Sequence, residues 1–118
     1  MSHISKVKLK IKEMDLLEAS VQDLADKYKL SVEERAEEQL TIKVVNDHHR
    51  IKFNKTKDCY TMSGDFYYFK FNEKDLSQDI TQRYTYNKTL RELKKKGFFL
   101  QNEKTETDGS IHITFGKF

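Results

Sequence analysis

Apolar and polar residues alternate at the start of the chain with the period of a β-strand. Val7, Leu9 and Ile11 are separated by single lysines, so one face of the predicted strand meets a core and the other meets water. The lysines of this row are Lys6, Lys8, Lys10 and Lys12. The pattern predicts a first strand with a basic outer face.

The spacing of apolar residues then changes to that of a helix. The apolar positions are Leu17, Val21, Leu24 and Tyr28, which recur every three or four residues. Asp15 stands where a helix N-cap is expected, because its short side chain accepts a hydrogen bond from a free amide. The first helix is predicted from about Asp15 to Lys29.

A hairpin is predicted in the middle of the chain. Leu40, Ile42 and Val44 alternate with polar residues, the segment 46–49 is polar, and a return strand begins at Ile51. The charged cluster at 33–38 is interpreted as a solvated start to the second strand.

An aromatic segment follows at Phe66–Phe71. Tyr60 and Met62 lead into it, and aromatic residues occupy both alternating positions. This composition favours a strand with two contacted faces, which is either central in the sheet or exposes one face for binding.

The last third of the chain predicts a second helix and a closing hairpin. The helix runs from about Leu76 to Lys96 and ends at Gly97, since glycine adopts the left-handed conformation of a helix stop. Strands at 98–103 and 110–118 flank a turn that contains Asp108 and Gly109. The order of elements predicts an α+β fold, an antiparallel sheet of five to six strands with two helices packed on one face.

Composition narrows the class of protein. The chain has 118 residues, 36% of them hydrophobic, which predicts one α+β domain over residues 1–118. Because 22 basic residues nearly balance 19 acidic ones, the net charge of +3 does not by itself indicate a polyanionic partner. A single cysteine and the lack of a long apolar run favour a soluble protein of a reducing compartment, with the cytoplasm as the default.

Arg83 and Asn87 project from the middle of the apolar side of the predicted second helix. A buried guanidinium without a partner costs several kcal/mol, so Arg83 must pair with a carboxylate, reach water or hold an anionic ligand. Asp65 is the carboxylate predicted to pair with it, since Asp65 borders the aromatic segment. In this interpretation the pair only fixes the helix on the sheet.

A second interpretation makes the same region a binding site for a small anion, carboxylate or phosphate group. Arg83, Gln82 and Tyr86 would surround an opening together with His3 of the first strand. The hydroxyl groups of Tyr60 and Tyr84 would complete the site. The full candidate set is His3, Tyr60, Asp65, Gln82, Arg83, Tyr84, Tyr86 and Asn87.

The lysine row of the first strand supports an alternative function, which is the binding of nucleic acid. Lys6, Lys8, Lys10 and Lys12 form a one-sided basic stripe that could follow a phosphate backbone. Lysines on a strand also keep it soluble and discourage edge pairing, and no arginine cluster joins them.

No catalytic motif accompanies these residues. Cys59 lacks a second cysteine, His48 and His49 lack the spacing of metal ligands, and no phosphate loop or nucleophile elbow is present. We therefore expect no cofactor and no metal site. We expect a binding protein rather than an enzyme, which contacts a partner protein or a small ligand at the surface where the aromatic segment meets the second helix.

Several short motifs together resemble a known family. They are the opening Met1-Ser2-His3-Ile4-Ser5, Tyr60 with Asp65, the segment Thr81-Gln82-Arg83-Tyr84-Thr85-Tyr86, Gly97-Phe98, and Asp108-Gly109-Ser110-Ile111. In this order they are similar to the family called hypothetical chloroplast reading frame thirty-five, encoded in plastids and cyanobacteria with relatives in other bacteria and phages. The region 31–54 departs from the family pattern. The resemblance implies a domain of unknown function, located in the cytoplasm, the plastid stroma or a phage host.

Overall fold

The computed structural model describes residues 4–117 of the chain. These residues form two compact units, one ending at Thr85 and the other beginning at Tyr86. The α+β class is confirmed, because an antiparallel sheet and helices share the first unit. That the chain is a single domain stays a prediction.

The sheet of the first unit has five antiparallel strands in the order β1-β5-β4-β3-β2. The strands are β1 (Ile4–Lys8), β2 (Leu30–Arg35), β3 (Gln39–Val44), β4 (Arg50–Thr56) and β5 (Cys59–Asp65). The predicted hairpin of β3 and β4 is confirmed, with Ile42 opposite Ile51. β1 and β2 form the two edges of the sheet.

One face of this sheet carries the core. Ile42, Ile51, Phe53 and Met62 are fully buried there, as alternation predicts for a sheet with one covered face. The opposite face, here called the outer face, is polar. Its residues include Lys6, Lys8, Thr41, Lys43, Lys52, Thr61 and Ser63, which the strand register places side by side.

The predicted first helix is two helices, α1 (Met14–Asp23) and α2 (Ala25–Tyr28). The prediction of Asp15 as N-cap is wrong, because the helix begins at Met14 and Glu13 occupies the N-cap position, two residues earlier. Asp15 instead pairs with Arg35 of β2. Lys29 takes a left-handed conformation (φ 58°) and turns the chain into β2.

The structure contains a strand, β2, that the sequence pattern did not predict. Leu30 is buried and pairs with Val44, whereas the residues from Glu33 onward are exposed. The charged cluster therefore begins on this strand and continues through the turn that leads to β3. Its interpretation as solvent-exposed is confirmed, but its placement at the start of the second strand is wrong, because the cluster begins at the end of β2.

The prediction of a strand at Phe66–Phe71 is wrong. Phe66–Tyr68 form a short 3-10 helix, and residues 69–72 have no regular structure. Asp65 causes the turn, since its carboxylate accepts a hydrogen bond from the backbone N–H of Tyr67 at 3.3 Å. Phe66 enters the core, and Tyr67 is 71% exposed.

The predicted second helix is α3 (Glu73–Lys95), which starts earlier than expected. Asn72 caps it by accepting from the N–H of Asp75 at 2.8 Å. Leu76, Ile80 and Tyr84 pack into the core of the first unit together with α1. The helix continues into the second unit and stops at Gly97, whose φ of 87° confirms the predicted end.

The second unit contains the C-terminal end of α3 and a hairpin of β6 (Phe98–Thr105) and β7 (Ile111–Lys117). The predicted turn is confirmed, with Gly109 at φ 90°. Asp108 accepts hydrogen bonds from the hydroxyl and the backbone N–H of Ser110, and both lower the pKa of its carboxyl group. These bonds close the hairpin.

Candidate functional site

Arg83 is paired with a carboxylate of α1. Its Nε donates to Oδ2 of Asp23 at 2.9 Å, and both side chains are about one third exposed. The predicted pair of Arg83 with Asp65 is wrong, because Asp65 caps the 3-10 helix at the end of β5. Arg83 therefore lies at a helix junction near the surface rather than in a dry core.

Tyr60 and Tyr84 have structural positions in the first unit. Tyr60 is 1% exposed, and burial raises the pKa of its phenol. The hydroxyl oxygen of Tyr84 accepts a hydrogen bond from the backbone N–H of Lys12 at 3.3 Å. Both side chains belong to the core, which argues against their role as surface ligand contacts.

The remaining members of the predicted anion site are neighbours of Arg83 on α3 or lie outside the described residues. Gln82 is exposed and borders a groove beside β1. Tyr86 and Asn87 belong to the second unit. His3 lies outside the described residues. Within the described residues, Tyr60 and Asp65 make no hydrogen bond or ion pair with Arg83.

A second ion pair lies one helical turn before Arg83 on α3. Asp79 accepts from Lys27 Nζ at 2.7 Å and from Tyr28 Oη at 2.5 Å. Burial alone would raise the pKa of Asp79, but the hydrogen bonds from Lys27 and Tyr28 lower it below its usual value. Burial, and then the bond to Asp79, raise the pKa of Tyr28. Asp79 therefore stays ionised and Tyr28 stays a hydrogen-bond donor at neutral pH.

Aromatic rings line the surface next to this ion pair. Phe69 and Phe71 stack with ring centroids 5.2 Å apart, and Tyr28 meets Phe71 edge to face at 4.9 Å. Phe66 anchors the segment from the core side. The sequence prediction of a binding surface where the aromatic segment meets the second helix falls in this region.

Two clefts flank the segment 69–71. One has a volume of about 680 Å³ and lies toward α3, with Asp75 and Asp79 on its wall. The other has a volume of about 670 Å³ and lies toward β3. Three lysines border this second cleft, here called the lysine-rimmed cleft: Lys27, Lys29 and Lys70.

The wall of the lysine-rimmed cleft is apolar. Tyr68, Phe69 and Phe71 form its aromatic side, and Val44 and Val45 form its aliphatic side. Val45, the first residue after β3, is 52% exposed, which is high for a valine. Volumes of this size accommodate small organic ligands.

The carboxylate at the rim of this cleft is already bonded. Asp47 accepts from the backbone N–H of His49 at 2.7 Å and contacts the ring Nδ1 at 2.9 Å. The backbone bond is the main cause that lowers the pKa of Asp47. The His49 ring stacks on Tyr68 with centroids 4.0 Å apart, so the pair His49–Tyr68 holds this end of the cleft.

The predicted lysine row is exposed at all four positions. Only Lys6 and Lys8 lie within β1, because the strand ends at Lys8. The outer face adds further lysines beside them. In the strand register, Ser63 of β5 lies between Lys6 of β1 and Lys52 of β4. The row is therefore one border of a wider basic surface.

Three features of the site were not predicted from the sequence: Tyr28, Asp79 and Lys70. A signal for Asp79 was present. Asp23 and Lys27 are four residues apart, as are Asp79 and Arg83, and opposite charges at matched helical spacing can pair between two helices. Among residues 4–117 no cluster of side chains suits a metal ion, and no helix is long and apolar enough to cross a membrane.

The fold and its paired helices define a small α+β protein with an antiparallel sheet. Residues 12–114 match the family model described as Protein of unknown function (DUF1257), and the chain belongs to this family. It is also similar to a protein of Guillardia theta described as uncharacterized protein ycf35, with 29% identity over 126 residues that cover 100% of this chain and 98% of the relative. The predicted family is thus confirmed. No solved structure matches the chain.

Proposed function

We propose that this protein is a non-enzymatic binding module whose lysine-rimmed cleft takes a small planar molecule with an anionic group. The observation that carries the proposal is the combination of stacked aromatic rings and three lysines around one cleft of about 670 Å³. The anion predicted for Arg83 is assigned to this cleft, because Asp23 already neutralises Arg83.

The aromatic wall favours a flat ligand. Phe69 and Phe71 are only half-buried and lie parallel to one another, with interplanar angle 9°. A planar apolar group gains both area burial and ring contact at such a wall, and offset stacking adds roughly 0.5 to 1.5 kcal/mol. The aliphatic side chain of Val45 would cover the other side of the ligand.

The rim favours an anion. Lys29 and Lys70 make no ion pair with any residue of the described range 4–117. Lys27 is bonded to Asp79, but its side chain is 64% exposed. The three lysines outnumber Asp47, the one carboxylate among the lining residues of this cleft, so the net charge that an incoming ligand meets is positive.

The ionisation of two carboxylates supports the proposal that the protein binds its ligand without catalysing a reaction. Asp47 and Asp79 both have a lowered pKa and both accept hydrogen bonds from the protein. They are fixed anions at neutral pH rather than proton acceptors poised for catalysis.

Titration with anilinonaphthalene sulfonate, a planar aromatic anion, tests the proposal by fluorescence. We expect saturable binding to the folded protein, and we expect Lys29→Glu together with Lys70→Glu to weaken it about tenfold, which corresponds to about 1.4 kcal/mol. Lys57→Glu together with Lys94→Glu is the matched control, because it makes the same change in net charge away from the cleft. Lys57 is also an exposed left-handed lysine (φ 57°) but lies in the turn between β4 and β5, and Lys94 lies in the last turn of α3.

Equal weakening in the control double variant of Lys57 and Lys94 would show that net charge, not the cleft, attracts the dye. A second check uses Val45→Asp, which places a negative charge on the aliphatic side of the cleft and should also weaken binding. Unchanged affinity in both cleft variants would refute the assignment.

Nucleic-acid binding is a second candidate, supported by the outer face. Lys6, Lys8, Lys43 and Lys52 lie on this face between small hydroxyl residues, so a phosphate backbone could contact several lysines at once. Arg50 of the same face already pairs with Glu33, and this hydrogen bond is the main cause that lowers the pKa of Glu33.

Fluorescence anisotropy with a labelled single-stranded RNA at two salt concentrations tests this candidate. Binding through the outer face should weaken steeply with salt, and Lys6→Glu with Lys52→Glu should reduce the salt slope by about 0.7 for each phosphate that the variant no longer neutralises. Lys94→Glu, on the exposed last turn of α3, is the control. No binding at low salt would refute the candidate.

We further propose that the protein acts in the soluble phase of the cell, in the cytoplasm or the plastid stroma. The lysines and hydroxyl residues of its outer face and its relationship to an uncharacterized protein of the ycf35 type support this location. Cell fractionation followed by immunoblotting tests it, and recovery in the membrane pellet after a salt wash would contradict it.

A further inference from the structure

β1 is an edge strand with an unused set of backbone groups. Within residues 4–117 it pairs with β5 alone, in an uninterrupted register from Ile4 opposite Asp65 to Lys8 opposite Thr61. Just beyond the strand, Leu9 N donates to Tyr60 O at 2.8 Å. Because neighbouring residues of a strand point their amide groups to opposite sides, the N–H and C=O groups of Lys6 and Lys8 point away from the sheet.

The opposite edge of the sheet, β2, has features that block the pairing of an added strand. β2 has a register shift between Val32 and Glu34, a bulge that twists the edge, and the exposed carboxylates of Glu33 and Glu34 follow it. β1 has no such shift over its five residues. Of the two edges, β1 is therefore the one open to an added strand.

A groove runs beside the open edge. Its volume is about 540 Å³, and it lies between the segment 7–10 and the α3 residues Ser77, Gln78, Thr81, Gln82 and Thr85. These helical positions span two turns, or about 12 Å at 1.5 Å per residue. An extended chain of about four residues has the same length, at roughly 3.3 Å per residue.

The side chains of β1 are apolar toward the core side of the sheet and basic toward the outer face. Val7 is half-buried on the core side and borders the groove, whereas Lys6 is exposed on the outer face. Side chains of an added strand would alternate in the same way, one set entering the groove and the other lying beside Lys6 and Lys8. Apolar residues suit the first position, and carboxylates suit the second.

We propose that β1 binds an extended peptide segment of a partner protein as a sixth strand, and that this segment alternates apolar with acidic residues. Hydrogen bonds to Lys6 and Lys8 backbone groups supply affinity, and the alternating side chains supply specificity. The lysines also disfavour a second copy of this chain, because pairing two β1 strands would bring their lysine side chains together. This surface shares no lining residue with the lysine-rimmed cleft.

A labelled peptide of eight residues with valine and glutamate in alternation tests the proposal by anisotropy. The control peptide has the same composition in two blocks, four valines and then four glutamates. We expect the alternating peptide to bind at least tenfold more tightly, since only alternation satisfies the groove and the lysines together. Equal affinity of the two peptides would reduce the interaction to charge attraction and overturn the proposal.

Two substitutions at one position separate backbone pairing from charge. Lys6→Gln removes the charge, whereas Lys6→Pro also removes the outward N–H, a change that an edge strand accommodates on its free side. We expect Lys6→Pro to bind the alternating peptide at least tenfold less tightly than Lys6→Gln. The same affinity in two folded variants would show that no strand is added.

A charge exchange decides the result even if Lys6→Pro does not fold. Lys6→Glu with Lys8→Glu should lose the valine–glutamate peptide and gain a valine–lysine peptide, whereas Lys52→Glu, two strands away on the outer face, should leave the preference unchanged. Failure of the exchange would refute the proposal. A different result would assign the surface to nucleic acid. In that case the alternating and the block peptide would bind equally, and single-stranded RNA would displace them both from the unmodified protein and from Lys6→Gln.

Discussion

Arg83 on α3 donates a hydrogen bond from Nε to Oδ2 of Asp23 on α1 at 2.9 Å, across 60 residues of sequence. One turn earlier on α3, Asp79 accepts from Lys27 of α2 at 2.7 Å. Asp23 precedes Lys27 by four residues, and Asp79 precedes Arg83 by four residues. Each acid therefore meets the base of the other segment when the two segments run in opposite directions. The two contacts together fix α3 against α1 and α2 in the first unit.

The Arg83–Asp23 contact predicts coupling between the two residues. Arg83→Met leaves the Asp23 carboxylate without this partner, and Asp23→Asn weakens the same bond, so the double variant should cost about 0.5 kcal/mol less than the sum of the single variants. The size is modest because both side chains are about one third exposed. Urea unfolding of the four proteins measures the coupling.

Asp65→Asn supplies the control for this cycle. Since Asp65 caps the 3-10 helix through the N–H of Tyr67, its effect should simply add to that of Arg83→Met. Coupling of Arg83 to Asp65 that exceeds its coupling to Asp23 would contradict the observed pairing.

The Tyr28 hydroxyl predicts a measurable decrease in stability on its removal. Tyr28→Phe keeps the edge-to-face contact with Phe71 but deletes the hydrogen bond to Asp79, and we expect a cost of about 1 to 2 kcal/mol because the acceptor is charged. Tyr68→Phe is the matched control, since the ring of Tyr68 stacks on His49 while the side chain remains 53% exposed. Similar decreases in both variants, measured by thermal unfolding, would argue against a special role for the Tyr28–Asp79 bond.

Regular alternation was the strongest guide to the fold. In β3 and β4, Leu40, Ile42, Ile51 and Phe53 alternate over a sheet with one covered face, and all four are fully buried. β2 escaped prediction because only Leu30 and Val32 alternate before the charged residues begin, which is too short a pattern to separate a strand from a loop.

The aromatic segment shows where composition misleads. Aromatic residues favour strands, yet Asp65 accepts from the N–H two residues later and turns the chain into a 3-10 helix. A local side-chain hydrogen bond therefore overrode the strand propensity of Phe66, Tyr67 and Tyr68. The turn is also what places Phe69 and Phe71 between the two clefts.

The partner of Arg83 could not be chosen from the spacing within its own helix. The need for a carboxylate was predicted correctly, but selecting Asp23 over Asp65 requires the direction in which α1 crosses α3. Such an arrangement depends on core packing around Leu17, Val21 and Ile80 rather than on any local motif. The fold class was thus more accessible from the sequence than the details of the candidate site.

Gly97 predicts a cost that comes from the backbone alone. Its φ is 87°, and a Cβ at this position would meet no atom within 4 Å, so Gly97→Ala should destabilise the protein by about 1 kcal/mol through strain rather than collision. Gly97→Asn should cost less, because asparagine tolerates the left-handed conformation. Urea unfolding followed by circular dichroism compares the two, and an equal cost would contradict the backbone explanation.

The lowered pKa of Asp79 predicts a stability that depends on pH. Because the folded-state pKa lies below the ordinary value of 3.8, the hydrogen bonds of Asp79 stabilise the protein fully above that value and are lost as the pH falls through the lower, folded-state pKa. Asp79→Asn should therefore cost about 1 kcal/mol at neutral pH and progressively less in acid. Asp58→Asn, in the exposed turn before β5, should show no such dependence. Urea unfolding of both variants and the unmodified protein from pH 7 down to about pH 3 measures the difference, and a cost of Asp79→Asn that stays constant across this range would show that the carboxylate charge does not stabilise the contact with Lys27 and Tyr28.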